Sequence, residues 1–259
     1  NPDGSGMQTI VPPQAGFMPN DLVFDTEGGF YFTDFRGSST DPTGGVYYVA
    51  PDFKSTIPIL PRLARANGIA LSPDGKTLWA TEYSRNLLHR VNLSAATTAA
   101  PFGTSIAYHF TGPAPDSMRA DKDGNLYVAM NGQGRVLAFN RNGIPIGQVL
   151  LPGRDDGHNL ASTSLALRPG SDDLYVVTSD RDGGEGANIF HAKAFADALG
   201  LYSHRRSDRA GVTGMRLLFV KIAQQVMHAS RLVRAVSMDK HPVSTKFPNC
   251  LFQNNLANF

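Results

Sequence analysis

The chain has 259 residues, 18% of them charged, and a formal net charge of +2, so no whole-molecule field points to nucleic acid or a membrane surface. That length suits one large all-β domain or two ordinary ones, with a substantial core. One cysteine, Cys250, excludes an internal disulfide framework and fits a reducing, cytoplasmic setting, and no run of about 18 apolar residues is present to span a bilayer.

The first predicted element is a strand, MQTIV (7–11). It reads as the outer strand of a blade whose other strands lie upstream. The chain begins at Asn1 without a signal-peptide pattern, and its natural start is expected to be missing.

Four hairpins follow. Residues 19–34 read PNDLVFDTEGGFYFTD, 66–82 ANGIALSPDGKTLWATE, 115–130 PDSMRADKDGNLYVAM and 162–180 STSLALRPGSDDLYVVTSD. Each pairs an alternating strand with a second strand rich in aromatic and β-branched residues, across a Gly/Asp/Pro tip. The equivalent first positions are Asn20, Asn67, Asp116 and Thr163, spaced by 47, 49 and 47 residues. A hairpin recurring at about 40–50 residues predicts a β-propeller of four-stranded blades.

The remaining strands of each blade are expected at 44–51 and 55–60, 86–93 and 105–110, 135–140 and 146–152, and 187–195 with a weaker 198–204. Four blades thus fall between about residues 18 and 205, and residues 1–205 form a partial propeller. Trp79 is read at one repeat position with Phe32, Val128 and Val176, as core between blades.

From residue 206 the repeat stops. Apolar residues at 215, 218, 219, 222, 226, 229, 233 and 236 predict a basic amphipathic helix over 214–236. It reads either as a surface for a partner or membrane or as a packing helix or foreign tail. The second reading is favoured because nothing there continues the repeat. Residues 239–259 read as poorly ordered.

Innermost strands of a propeller begin at one end of the central channel, so equivalent positions converge. Asn20, Asn67 and Asp116 bring carbonyl or carboxylate oxygens to that ring. Hard oxygen donors without His or Cys suit calcium or another divalent cation of that kind rather than zinc. Such residues also cap strand ends, but three at one phase favour the metal. D-K-D-G-N (121–125) lacks the EF-hand spacing, and Asp121 and Asp123 read as turn formers. Gly132 and Gly134 read as a tight connection between strands. His158, in GRDDGHN (153–159), either touches substrate or caps its loop.

The strings FYFTDFRG (30–37), GGVYYVAPDF (44–53), ANGIALS (66–72), GPAPDSM (112–118), LYVAMNGQGRVLAFN (126–140) and PIGQVLLPGRDDGH (145–158) resemble the calcium-dependent lactonase family of senescence marker protein and gluconolactonase, nearest to its drug-responsive branch. The resemblance implies a six-bladed propeller with one catalytic divalent cation, usually calcium. It implies Asn20, Asn67, Asp116 and Ser117 as metal contacts and Asp116 as the catalytic residue. It also implies a glutamate ligand in the first blade, upstream of this chain. The 259-residue chain alone is therefore expected to bind calcium weakly and to hydrolyse lactones poorly. Pro12 and Ala15 offer no side-chain oxygen to a second, structural calcium. The implied substrate is a small-molecule lactone, opened to a hydroxy acid. A non-catalytic propeller that binds partners through its faces is the alternative.

Overall fold

The computed structural model describes residues 5–181, 184, 186–202 and 252–253. The first blade comprises β1 (Pro19–Phe24), β2 (Phe30–Asp34), β3 (Gly44–Val49) and β4 (Thr56–Leu63). The second comprises β5 (Ala66–Leu71), β6 (Thr77–Glu82), β7 (Leu87–Ala95) and β8 (Thr98–His109). The third comprises β9 (Pro115–Ala120), β10 (Leu126–Met130), β11 (Arg135–Phe139) and β12 (Pro145–Leu150). The fourth comprises β13 (Ala161–Leu167), β14 (Asp173–Ser179) and β15 (Ala187–Lys193). Strands in each blade follow chain order and pair antiparallel. The innermost strands β1, β5, β9 and β13 lie against one another in turn. The described residues contain no α-helix, and no helix among them is long and apolar enough to cross a membrane.

The cores lie between blades because each sheet buries both faces. In β6, Leu78 and Ala80 pack with Val23, Tyr31 and Tyr48 of the first blade. Trp79, one residue on, faces the other way and packs with Met118 and Val128 of the third. This is the period-two alternation of a strand with apolar residues on both sides. Tyr127 repeats the device toward the fourth blade, beside Leu165 and Val176.

Trp79 is 1% exposed and core, as expected, but its repeat position differs from the sequence reading. It pairs with Ala70 as Tyr31 pairs with Val23, Tyr127 with Arg119 and Val176 with Leu165. Phe32 and Val128 instead match Ala80. The tip between Leu71 and Leu78 holds one residue more than that between Phe24 and Phe30, which shifts the count.

Two expected strands are absent among the described residues. Residues 7–11 form no strand, and no strand among the described residues pairs with them. Ile10 and Val11 instead pack half-buried on Phe30 and Phe32 of the first blade. Residues 198–202 do not extend the fourth blade, which has three strands among the described residues. That segment is pulled elsewhere. Phe195 N–H donates to the Tyr127 hydroxyl at 2.7 Å, and Lys122 N–H donates to the Asp197 carbonyl at 2.9 Å. Ala198 forms a bridge with Asp121. Leu201 reaches the core between the first two blades, and Tyr202 stacks on Phe24 at 5.9 Å.

Of the expected tail, the helix over 214–236 lies outside the described residues. Phe252–Gln253 form a two-residue strand, β16, on the outer edge of β12.

Candidate functional site

Each innermost strand breaks register at the same place. In β1 the pairing skips from Pro19 to Leu22, in β5 from Ala66 to Ile69, in β9 from Pro115 to Met118. In β13 the break follows Ser162. Such a β-bulge bends a strand and re-aims the side chains in it. Asn20, Asn67 and Asp116 each take the first place in a bulge. Ser162, not Thr163, takes it in the fourth blade; its hydroxyl donates to the Met130 carbonyl at 2.9 Å.

The bulges are tied blade to blade. Thr33 Oγ1 accepts from Asp21 N–H at 2.8 Å and donates to the Asn67 carbonyl. Thr81 Oγ1 accepts from Gly68 N–H at 2.6 Å and donates to the Asp116 carbonyl at 2.9 Å. Gly68 also permits a close approach. A Cβ there would stand 2.3 Å from the Asp116 carbonyl oxygen.

Asp116 is 5% exposed. Its Oδ2 accepts from Asn131 Nδ2 at 2.9 Å and its Oδ1 from Ser117 N–H at 3.0 Å. The Asn67 side chain also hydrogen-bonds it. Burial pushes the carboxyl up to about 7, against those hydrogen bonds, and the Asp21 charge adds to the rise. Asn67 is 2% exposed, and its Oδ1 is buried without a hydrogen-bond partner. Buried amide oxygens are nearly always satisfied, so this one marks a place built for something else. Asn20 is half-buried and Ser117 fully buried. Among the described residues no group of three or more His, Cys, Asp or Glu could hold a metal. A cation here would draw on amide and hydroxyl oxygens beside the Asp116 carboxylate.

Below the ring, Arg119 Nη1 of the third blade meets Asp21 Oδ2 of the first at 2.9 Å, with Asp21 1% exposed. His158 lies in the loop before β13, with Nδ1 3.0 Å from Asp180 Oδ2; Asp180 also accepts from Asn159 N–H at 2.8 Å. Asp121 accepts from the N–H groups of Asp123 and Asn125 and from the Tyr127 hydroxyl. It anchors its tip, as the sequence predicted.

Sequence reasoning missed Asn131, Thr81 and Arg119. Two signals were available. Threonines recur at 33 and 81 in one phase, and Arg119 is a charge where Val23, Ala70 and Leu165 are apolar.

Residues 5–180 match the family described as SMP-30/Gluconolactonase/LRE-like region. A relative in Staphylococcus saprophyticus, "Lactonase drp35", is 55% identical over 197 residues, covering 75% of this chain and 61% of the relative. A Staphylococcus haemolyticus protein of the same name is 55% identical over 181 residues, covering 68% and 56%. The chain therefore spans about three-fifths of the curated relatives it matches. Among solved structures, a luciferin-regenerating enzyme superposes with a TM-score of 0.57 at 18% identity, covering 82% of this chain and 63% of that one. A calcium-binding regucalcin from Agrobacterium tumefaciens gives 0.56 at 21%, covering 70% and 64%. These distant likenesses carry the fold, while the profile match and the close relatives carry the family. The chain belongs to the SMP-30/gluconolactonase/LRE-like family.

Proposed function

We propose that this chain carries the catalytic ring of a divalent-cation-dependent lactonase, with calcium as the cation and Asp116 as the catalytic residue. One observation carries the reading: a buried Asn67 Oδ1 without a partner, beside a buried carboxyl held by three donors. The names of the close relatives support the reaction class. That of the regucalcin supports the cation.

Asn67 Oδ1, the Asn20 amide oxygen, the Ser117 hydroxyl and the Asp116 carboxylate would hold the cation. A cation so held would supply Lewis acidity at the lactone carbonyl. Asp116 takes the proton of the attacking water on its carboxylate and returns it to the leaving ring oxygen, yielding the hydroxy acid. Contact with the cation would favour the charged form of this carboxylate, which is the form that accepts the proton. The amides add oxygens without negative charge, so the carbonyl meets a site that keeps its net positive character. His158 stands by as a substrate contact, with its Nδ1 turned to Asp180.

Asp116→Asn should abolish lactone hydrolysis with the fold intact. Calcium should raise the melting temperature of the unsubstituted chain by mass action. Retained hydrolysis in Asp116→Asn would remove Asp116 from the reaction. No calcium shift at millimolar concentration would favour a propeller that only binds partners.

A further inference from the structure

The position just after the second strand repeats. In the first three blades its N–H donates to a carbonyl two residues before the ring position: Phe35 to Met18, Tyr83 to Arg65, Asn131 to Ala114. Asp180 follows β14 in the fourth. The side chains diverge. Phe35 and Tyr83 pack edge to face with centroids 5.5 Å apart. Asp180 turns to His158. Asn131 brings an amide, and its Nδ2 reaches Asp116 Oδ2.

The amide has one permitted orientation. Its Oδ1 accepts from Arg181 Nη2 at 2.7 Å. Arginine only donates, so a flipped amide would oppose donor to donor at Arg181 and acceptor to acceptor at Asp116.

A second departure lies in the same blade. Thr33 and Thr81 take up the N–H of Asp21 and of Gly68. The matching place on β10 is Ala129, which pairs with Val136 and has no hydroxyl. The matching N–H, of Ser117, donates to Asp116 Oδ1 instead. Each Asp116 oxygen thus has a donor that the first two blades do not offer at the matching place.

We propose that Asn131, held in register by Arg181, is a positioning residue that fixes the rotamer of the Asp116 carboxylate at the ring. This rests on the lactonase reading for its consequence but not for its geometry. A carboxylate fixed at both oxygens points one way, whereas a carboxylate released at Oδ2 samples other staggered rotamers.

The test compares the 259-residue chain with Asn131→Ala, Arg181→Met and Arg181→Lys. The readouts are crystal structures, calcium calorimetry and the kcat and KM of lactone hydrolysis. In Asn131→Ala the Asp116 side chain should leave its present rotamer. Calcium affinity and kcat should each fall about 10- to 100-fold, as for other partners that orient a ligand, with KM and the melting temperature little changed. Arg181→Met should move in the same direction, and Arg181→Lys, which keeps a donor, should recover part of the loss. An unmoved Asp116 in Asn131→Ala, with unchanged calcium affinity, overturns the proposal. An unsubstituted chain that shows no calcium binding even at millimolar concentration, while Asp116 still moves in Asn131→Ala, sinks the lactonase reading and leaves the positioning role standing.

Discussion

Thr81 Oγ1 lies 2.9 Å from the carbonyl oxygen of Asp116, one blade away, while it accepts the N–H of Gly68 in its own blade at 2.6 Å. One hydroxyl therefore satisfies two buried backbone groups and sets the spacing of two inner strands. Thr81→Val keeps the shape and loses both bonds. A buried polar group left unmade costs about 1–3 kcal/mol, so a loss of about 3 kcal/mol is expected from urea unfolding. Thr81→Ser should lose much less. Equal stability of the valine and serine variants would refute the role.

Gly68 is required by its neighbours. A Cβ would stand 2.3 Å from the Asp116 carbonyl oxygen and 2.8 Å from Met118 N, both backbone atoms that cannot swing away. Gly68→Ala should cost about 1–3 kcal/mol, the range for overpacking. It should also weaken calcium binding, since the strand it pushes carries Asp116. Calorimetry that finds full affinity in this variant would show that the ring tolerates displacement.

The Arg119–Asp21 pair spans from the third blade to the first with Asp21 1% exposed. Arg119→Met removes a cation bonded to a buried carboxylate and should cost about 3–5 kcal/mol. Adding Asp21→Asn should recover part of that loss. A double variant as unstable as the sum of the singles would mean that the two charges do not sense each other.

On the fourth blade, Asp173 bonds Lys193 Nζ at 2.7 Å, His191 Nε2 at 2.8 Å and Ser171 Oγ at 3.1 Å. The Lys193 bond, then the His191 bond, hold its carboxyl well below the usual carboxylate range. A depressed acid stabilises the fold above its unfolded value, about 4, and loses that contribution as pH falls through its folded value. Asp173→Asn should therefore melt lower than the unsubstituted chain at pH 6. The gap should narrow below about pH 4. A gap that stays constant down to pH 3 would assign the loss to something other than charge.

The blades were legible because hairpin tips and strand alternation repeat along the chain, and Asn20, Asn67 and Asp116 stood out by phase. The fourth ring position was misplaced. In STSLAL, Ser162 and Thr163 are both small hydroxyl residues, and no local signal tells which one opens the bulge. Trp79 slipped by one because its tip carries an extra residue that string comparison cannot assign to a side of the turn. Asn131 was hidden for another reason. Its proposed role depends on Arg181, 50 residues further along the chain, a contact that its own segment does not show. Over its described residues, 198–202, the expected outer strand did not form because a tertiary pull, through Tyr127 and Asp121, outweighed weak strand propensity.

That pull has a mechanical meaning. From Phe195 to Tyr202 the chain leaves the fourth blade, touches the third at Tyr127, Lys122 and Asp121, and reaches Phe24 of the first. It acts as a chord drawn across an arc. Strain that would splay the first blade from the fourth loads this chord as well as the seams between neighbouring sheets. The tether holds the hairpin-tip end of the inner strands, the end opposite the ring of oxygens.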